Sequence, residues 1–147
     1  MKRIVKFVAG CIVLVLSVGL LAASAPRMVI TPIEDVRFKP GDPTRANAIE
    51  TIVLRGDPAA GQSSMYMRMG KSTGGGLHVH TSDYDAVVIK GEAKHWQRGE
   101  TEANATVLKA GSYWFQPGGQ PHGDSCLTNE CIYYLQWSGK SDSRAVD

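Results

Sequence analysis

Helical periodicity is missing from this sequence. No long run spaces apolar residues at intervals of three and four, no segment repeats, and no stretch is of low complexity. Helical bundles and repeat arrays are therefore excluded as the main architecture. A charge excess of one sign is also missing. The formal charge is +2, but Lys2, Arg3 and Lys6 all lie in the first six residues, and residues 1–24 hold no acid. The remainder carries 13 basic against 14 acidic residues, so no basic patch argues for a nucleic-acid partner. Histidine and cysteine are scarce, at four and three residues, which makes their placement informative. At 147 residues the chain is sized for one domain with a modest core.

The first segment reads as a leader. Three basic residues precede an apolar run from Phe7 to Ala23, followed by Ala22-Ala23-Ser24-Ala25-Pro26. A positive start, an apolar centre and small residues make a secretory signal peptide. Residues 1–24 are assigned to it and 25–147 to the domain, since cleavage directly before Pro26 is disfavoured. The 17-residue apolar run is near the lower limit for an uncleaved span. Val8-Ala9-Gly10-Cys11 imitates a lipidation box, but the apolar centre follows the cysteine rather than preceding it. The mature protein is expected outside the cytoplasm, in a bacterial periplasm. With Cys11 removed, Cys126 and Cys131 remain, and an even pair in an oxidising compartment is expected to form a disulfide. The four residues between them read as a hairpin turn.

What is abundant is short alternating segments with glycine and proline between them; glycine alone contributes 16 residues. Strands are predicted at Met28–Ile30, Val36–Phe38, Ile49–Arg55, Ser64–Met69, Ala86–Ile89, Ala93–Gln97, Thr106–Lys109, Tyr113–Gln116 and Ile132–Trp137. Lys39–Pro43 is predicted as a loop and Ser138–Asp147 as a polar tail. Such spacing indicates an all-β sandwich or barrel. Met65, Met67 and Met69 recur with period two and read as one core face rather than a copper site. Arg68, of opposite parity, reads as solvated surface, with a substrate-carboxylate anchor as the sharper option.

The chemistry concentrates in Gly76–Asp85, Gly-Leu-His-Val-His-Thr-Ser-Asp-Tyr-Asp. His78 and His80 are one residue apart, so on a strand they point the same way. Two imidazoles on one face are half of a metal site. A third comes from Pro117-Gly118-Gly119-Gln120-Pro121-His122, where a stiff turn delivers His122 from far along the chain. His95 reads as a rim or surface residue.

This pattern resembles the cupin superfamily. The first cupin motif pairs His-x-His with an acidic residue and a later glycine, here His78, His80, Tyr84 or Asp85, and Gly91. The second runs Gly, five residues, Pro-x-Gly, two residues, His, and after three more an Asn. Gly111, Pro117, Gly119 and His122 match it, with Cys126 in the Asn position. The wording around both motifs looks most like small cupins near the anti-sigma-factor ChrR-type domains. The resemblance implies a single-domain cupin jelly-roll β-barrel with His78, His80 and His122 as metal ligands. The usual Glu slot is taken by Tyr84 or by Asp85. Asp85 would complete a three-histidine, one-carboxylate set; Tyr84 would face a three-histidine site as a hydrogen-bond donor, and strand parity favours it.

These readings predict an exported cupin enzyme holding one divalent transition metal ion (Fe, Zn, Mn, Ni or Cu) and acting on a small polar molecule. Tyr84 or Asp85 would be its catalytic proton donor or acceptor. The reaction would be of dioxygenase, isomerase or lyase type. The alternative is a non-catalytic metal or small-ligand binding module of the cell envelope. By resemblance, a homodimer is expected.

Overall fold

Alternation and turn chemistry resolve into strands β1 (Lys39–Pro40), β2 (Glu50–Gly56), β3 (Ser63–Gly70), β4 (His78–Val79), β5 (Tyr84–Lys90), β6 (Glu92–Gln97), β7 (Val107–Lys109), β8 (Tyr113–Gln116), β9 (His122–Cys126), β10 (Glu130–Trp137) and β11 (Arg144–Ala145). Two 3₁₀ turns, Ile33–Asp35 and Glu102–Asn104, are also present among the described residues. This computed structural model describes residues 27–41, 44, 49–74 and 76–147; the expected signal segment 1–24 lies outside them. Every strand among the described residues belongs to the compact unit Thr31–Asp147.

The strands form two antiparallel sheets, ordered β1-β2-β3-β10-β5-β8 and β11-β4-β9-β6-β7. Period-two alternation turns one face of each strand inward. From β3 come Met65 and Met69, from β5 Tyr84, Ala86 and Val88, and from β10 Cys131, Tyr133, Leu135 and Trp137. Ala93 of β6 and Cys126 of β9 meet them from the other sheet. Fully burying side chains such as Met69 and Val88 stabilises the fold by about 1.5–3 kcal/mol each. The methionine stripe is thus a packed face, with Met67 only partly buried beside it. Arg68 points the other way. It pairs with Glu50, lies 3.7 Å from Glu130, and sets its guanidinium 4.5 Å above the Phe38 ring.

Three local expectations change. Residues 27–32 and 36–38 form no strand: Ile33–Asp35 is a 3₁₀ turn flanked by Pro32 and Val36, and these apolar residues find no strand to pair with. Lys39–Pro40, predicted as loop, pairs with Thr51 and Glu50; a proline is tolerated there because β1 is a sheet edge. The turn after Cys126 is no hairpin, since β9 and β10 lie in different sheets.

That last difference gives the disulfide its role. Cys126 and Cys131 are bridged, with Cα atoms 5.8 Å apart, and the bond staples one sheet to the other where the chain crosses over. Its loop is short, with a sequence separation of 5, so restricting the unfolded chain contributes only about 2 kcal/mol. Replacing both cysteines by serine is expected to lower Tm by about 5–10 °C without abolishing folding. Thermal denaturation followed by circular dichroism measures this; an unchanged Tm would deny the staple a stabilising role.

Candidate metal centre

Strand register builds the centre. β4 pairs with β9 through a single partnership, His78 opposite His122, which sets two imidazoles side by side with ring centroids 4.3 Å apart. His80 leaves the end of β4 on the same face, 4.9 Å from His78 and 5.0 Å from His122. One ring nitrogen from each of the three lies within 4.8 Å of the others.

The opposite ring nitrogens decide what this cluster can do. Nδ1 of His78 lies 3.1 Å from the Gly76 carbonyl, Nδ1 of His122 lies 3.0 Å from the Gln120 carbonyl, and Nδ1 of His80 meets the Asp142 carbonyl. A carbonyl only accepts, so each Nδ1 carries the proton and each neutral ring presents Nε2 as a lone pair. Backbone oxygens anchoring the far nitrogen are also the usual outer support of metal-bound imidazole. Three imidazole lone pairs converging this way suit Zn, Cu, Fe or Ni, so the residues fit a divalent ion.

Tyr84, first residue of β5, lies inside, its hydroxyl 3.4 Å from His122 Nε2 and its ring 4.6 Å from Trp137. Burial keeps the phenol protonated well above its ordinary range. Asp85 does not reach the histidines. Its neighbour Tyr84 faces inward, so strand parity turns Asp85 outward, where its carboxylate accepts a hydrogen bond from the Tyr113 hydroxyl. The acidic slot after His80 is therefore filled by a phenol.

The rim assignment of His95 is also corrected. Its ring stacks on Trp114 at 4.9 Å and lies 4.9 Å from that of His122. Gln116 holds it there: the amide nitrogen donates to the carbonyls of Pro117 and Gln120, which aims the amide oxygen at His95 Nε2, 3.0 Å away. Sequence reading also missed Asp124, whose Oδ2 is 3.4 Å from His78 Nε2. The signal was present as His122-x-Asp124, the same alternation that linked His78 to His80.

The C-terminal segment is not a free tail. β11 pairs with β4, Val146 donates its amide to the Leu77 carbonyl, and both Asp142 carboxylate oxygens accept hydrogen bonds from Thr81, at 2.8 and 2.7 Å. Asp142 thus fixes the carbonyl that orients His80. No sequence motif marks it, because the ligand-orienting atom belongs to the backbone. A cavity of about 500 Å³ opens beside the cluster, walled by Met65, Met67, Leu135 and Trp137, with His78, His80 and Tyr84 on one side and residues 141–143 on another.

These arrangements have come to define a class. The two-sheet barrel with histidines from two motifs has the cupin fold: an acetylacetone dioxygenase from Acinetobacter johnsonii superposes with TM-score 0.61 at 18% identity, over 85% of this chain and 80% of that one. KdgF from Halomonas sp. gives 0.56 at 16% identity, covering 73% and 92%. The DMSP lyase DddQ from Ruegeria pomeroyi gives 0.55 at 18%, covering 65% of this chain and only 50% of that longer one. Within that class, the chain belongs to the family described as Domain of unknown function (DUF4437), which matches residues 25–142. No curated protein is detectably similar in sequence.

Burial, with mutual repulsion, lowers the proton affinity of His80 and His122, His122 to about 3; burial likewise lowers that of His95. Below about pH 6.5 the unfolded chain takes up protons on imidazoles that the folded chain refuses. Stability is therefore expected to fall as pH drops from about 6.5 towards 3, because the unfolded state binds more protons there. Melting of metal-free protein across this range checks it; the slope should be shallower in His122→Gln. Deleting residues 141–147 is expected to weaken divalent-metal binding about 10–100-fold by freeing His80. A chelator competition titration reads this, and unchanged affinity would remove the tail from the site.

Proposed function

We propose that the protein is an exported metal-dependent enzyme acting on a small molecule, with His78, His80 and His122 holding the ion and Tyr84 moving a proton. One observation carries the reading: three imidazoles, each with Nδ1 anchored to a backbone carbonyl, present Nε2 lone pairs beside a cavity of about 500 Å³. When bound, the ion supplies Lewis acidity and open coordination positions. The apolar wall of Met65, Met67, Leu135 and Trp137 suits a substrate with an apolar body and a polar end turned towards the histidines. Tyr84, buried and protonated, is placed to donate a proton to that end. The acetylacetone dioxygenase and DMSP lyase relatives make oxygenation of a diketone and cleavage of a sulfonium compound the two reaction types to test first. Export rests on the leader-like residues 1–24.

Metal analysis of the purified protein beside His122→Ala, followed by turnover assays with diketones, thiols and DMSP, tests the proposal. Wild type is expected to carry about one ion per chain and the variant none. Tyr84→Phe should keep the ion and lose about 10²–10⁴-fold in turnover. Equal metal in wild type and His122→Ala would end the metal reading. Bound metal with no turnover on any substrate would favour the non-catalytic envelope binding module instead.

A further inference from the structure

Asp124 follows His122 by two residues on β9 and so shares its inward face. Its side chain is 19% exposed, and its Oδ2 lies 3.4 Å from His78 Nε2. Nδ1 of His78 already donates to the Gly76 carbonyl, so in the neutral ring Nε2 has a lone pair and no hydrogen. A carboxylate oxygen then faces an imidazole lone pair, two acceptors with no donor between them. The lone pairs of His80 and His122 converge beside His78, and a cation held there would lie next to the Asp124 oxygen that faces His78.

The 3.4 Å between His78 Nε2 and Asp124 Oδ2 agrees with two donors on one ion. Adjacent donors on an ion with bonds of about 2.1 Å lie about 3.0 Å apart in octahedral and about 3.4 Å apart in tetrahedral geometry. The approach to β4 is built to hold the carboxylate there. Gly74 bridges to Ser125 with φ +100°, and a Cβ at that position would come within 2.2 Å of the Asp124 carbonyl oxygen and 2.9 Å of Oδ1. Only glycine lets this loop press so closely on Asp124, confining Oδ1 while Oδ2 faces His78. Among the described residues, no side chain or amide donates a hydrogen bond to this carboxylate.

We propose that Asp124 is the carboxylate ligand of the centre, replacing the acidic residue absent after His80 and completing a set of three imidazoles and one carboxylate. On a six-coordinate ion these four ligands would leave two positions for substrate. The inference rests on the three-histidine reading, and the experiment separates the two. Metal-free wild type, His122→Ala, Asp124→Asn and Asp124→Glu are titrated with Co(II), with visible absorption and chelator competition as readouts. Wild type is expected to bind one Co(II). Asp124→Asn should shift the d–d bands and weaken binding about 100-fold, and Asp124→Glu should stay within about 10-fold of wild type. An Asp124→Asn spectrum superimposable on wild type, with affinity within about threefold, would overturn the role of Asp124 and leave the histidines standing. Wild type binding Co(II) no better than His122→Ala would instead overturn the three-histidine reading beneath it. Melting of the metal-free forms reports folding; if Asp124→Asn does not fold, Asp124→Ser supplies the same two readouts.

Discussion

Everything at the centre depends on one cross-strand partnership, His78 of β4 opposite His122 of β9. β4 is only two residues long, so its own ladder cannot enforce this register. A slip of one residue would turn Val79 inward and send both imidazoles of the first motif to the other face. The register is held from outside the strand. β11 pairs on the opposite edge of β4, with Ala145 against His78. Beyond the strand, Asp142 clamps Thr81 through both carboxylate oxygens. A short, weak strand thereby acquires a fixed position from sequence-distant neighbours.

The turn of the second motif completes the lock. Gly119 donates its amide to the His80 carbonyl at 2.8 Å, and Gly118 donates to the Asp83 carboxylate at 2.7 Å. A Cβ on Gly118 would stand 2.6 Å from the Thr81 carbonyl oxygen, so the glycine is needed for contact rather than for flexibility. The Gln120 carbonyl that orients His122 also accepts from Gln116 and, through it, positions His95. The two motifs are thus one hydrogen-bonded unit.

Much of this was legible in the sequence because alternation and rare residues carry it. Histidine spacing in Gly76–Asp85 and the Pro-Gly-Gly turn before His122 led to the correct fold class and brought the three imidazoles together. Parity favoured Tyr84 over Asp85 for the inward place, and the structure puts Tyr84 there and Asp85 outward. What escaped reading was determined by pairing rather than by residue type. β11 is a stretch of polar sequence that becomes a strand only because β4 has an open edge. His95 looked peripheral because its inward orientation depends on the β6–β9 register, His95 opposite Asp124, which no local pattern announces. The crossover after Cys126 resembled a hairpin because a short turn between strands does not reveal whether they share a sheet.

The interior that results conflicts with ordinary packing rules. A stable core would fill the space between β4, β6 and β9 with apolar side chains; here it holds four imidazoles, a carboxylate and a phenol. Burial makes protonating His80, His95 and His122 unfavourable, so these groups cannot satisfy one another as donors and acceptors in the usual way. Each of the three clustered imidazoles spends its one N–H on the backbone and turns its lone pair to the others. Such a concentration of acceptors costs stability that the flanking Met69, Val88 and Leu135 packing and the disulfide staple must offset. Functional sites are where a sequence breaks the consistency that specifies the rest of its fold. Here the inconsistency has a definite chemical sense, because what converging lone pairs lack is a cation.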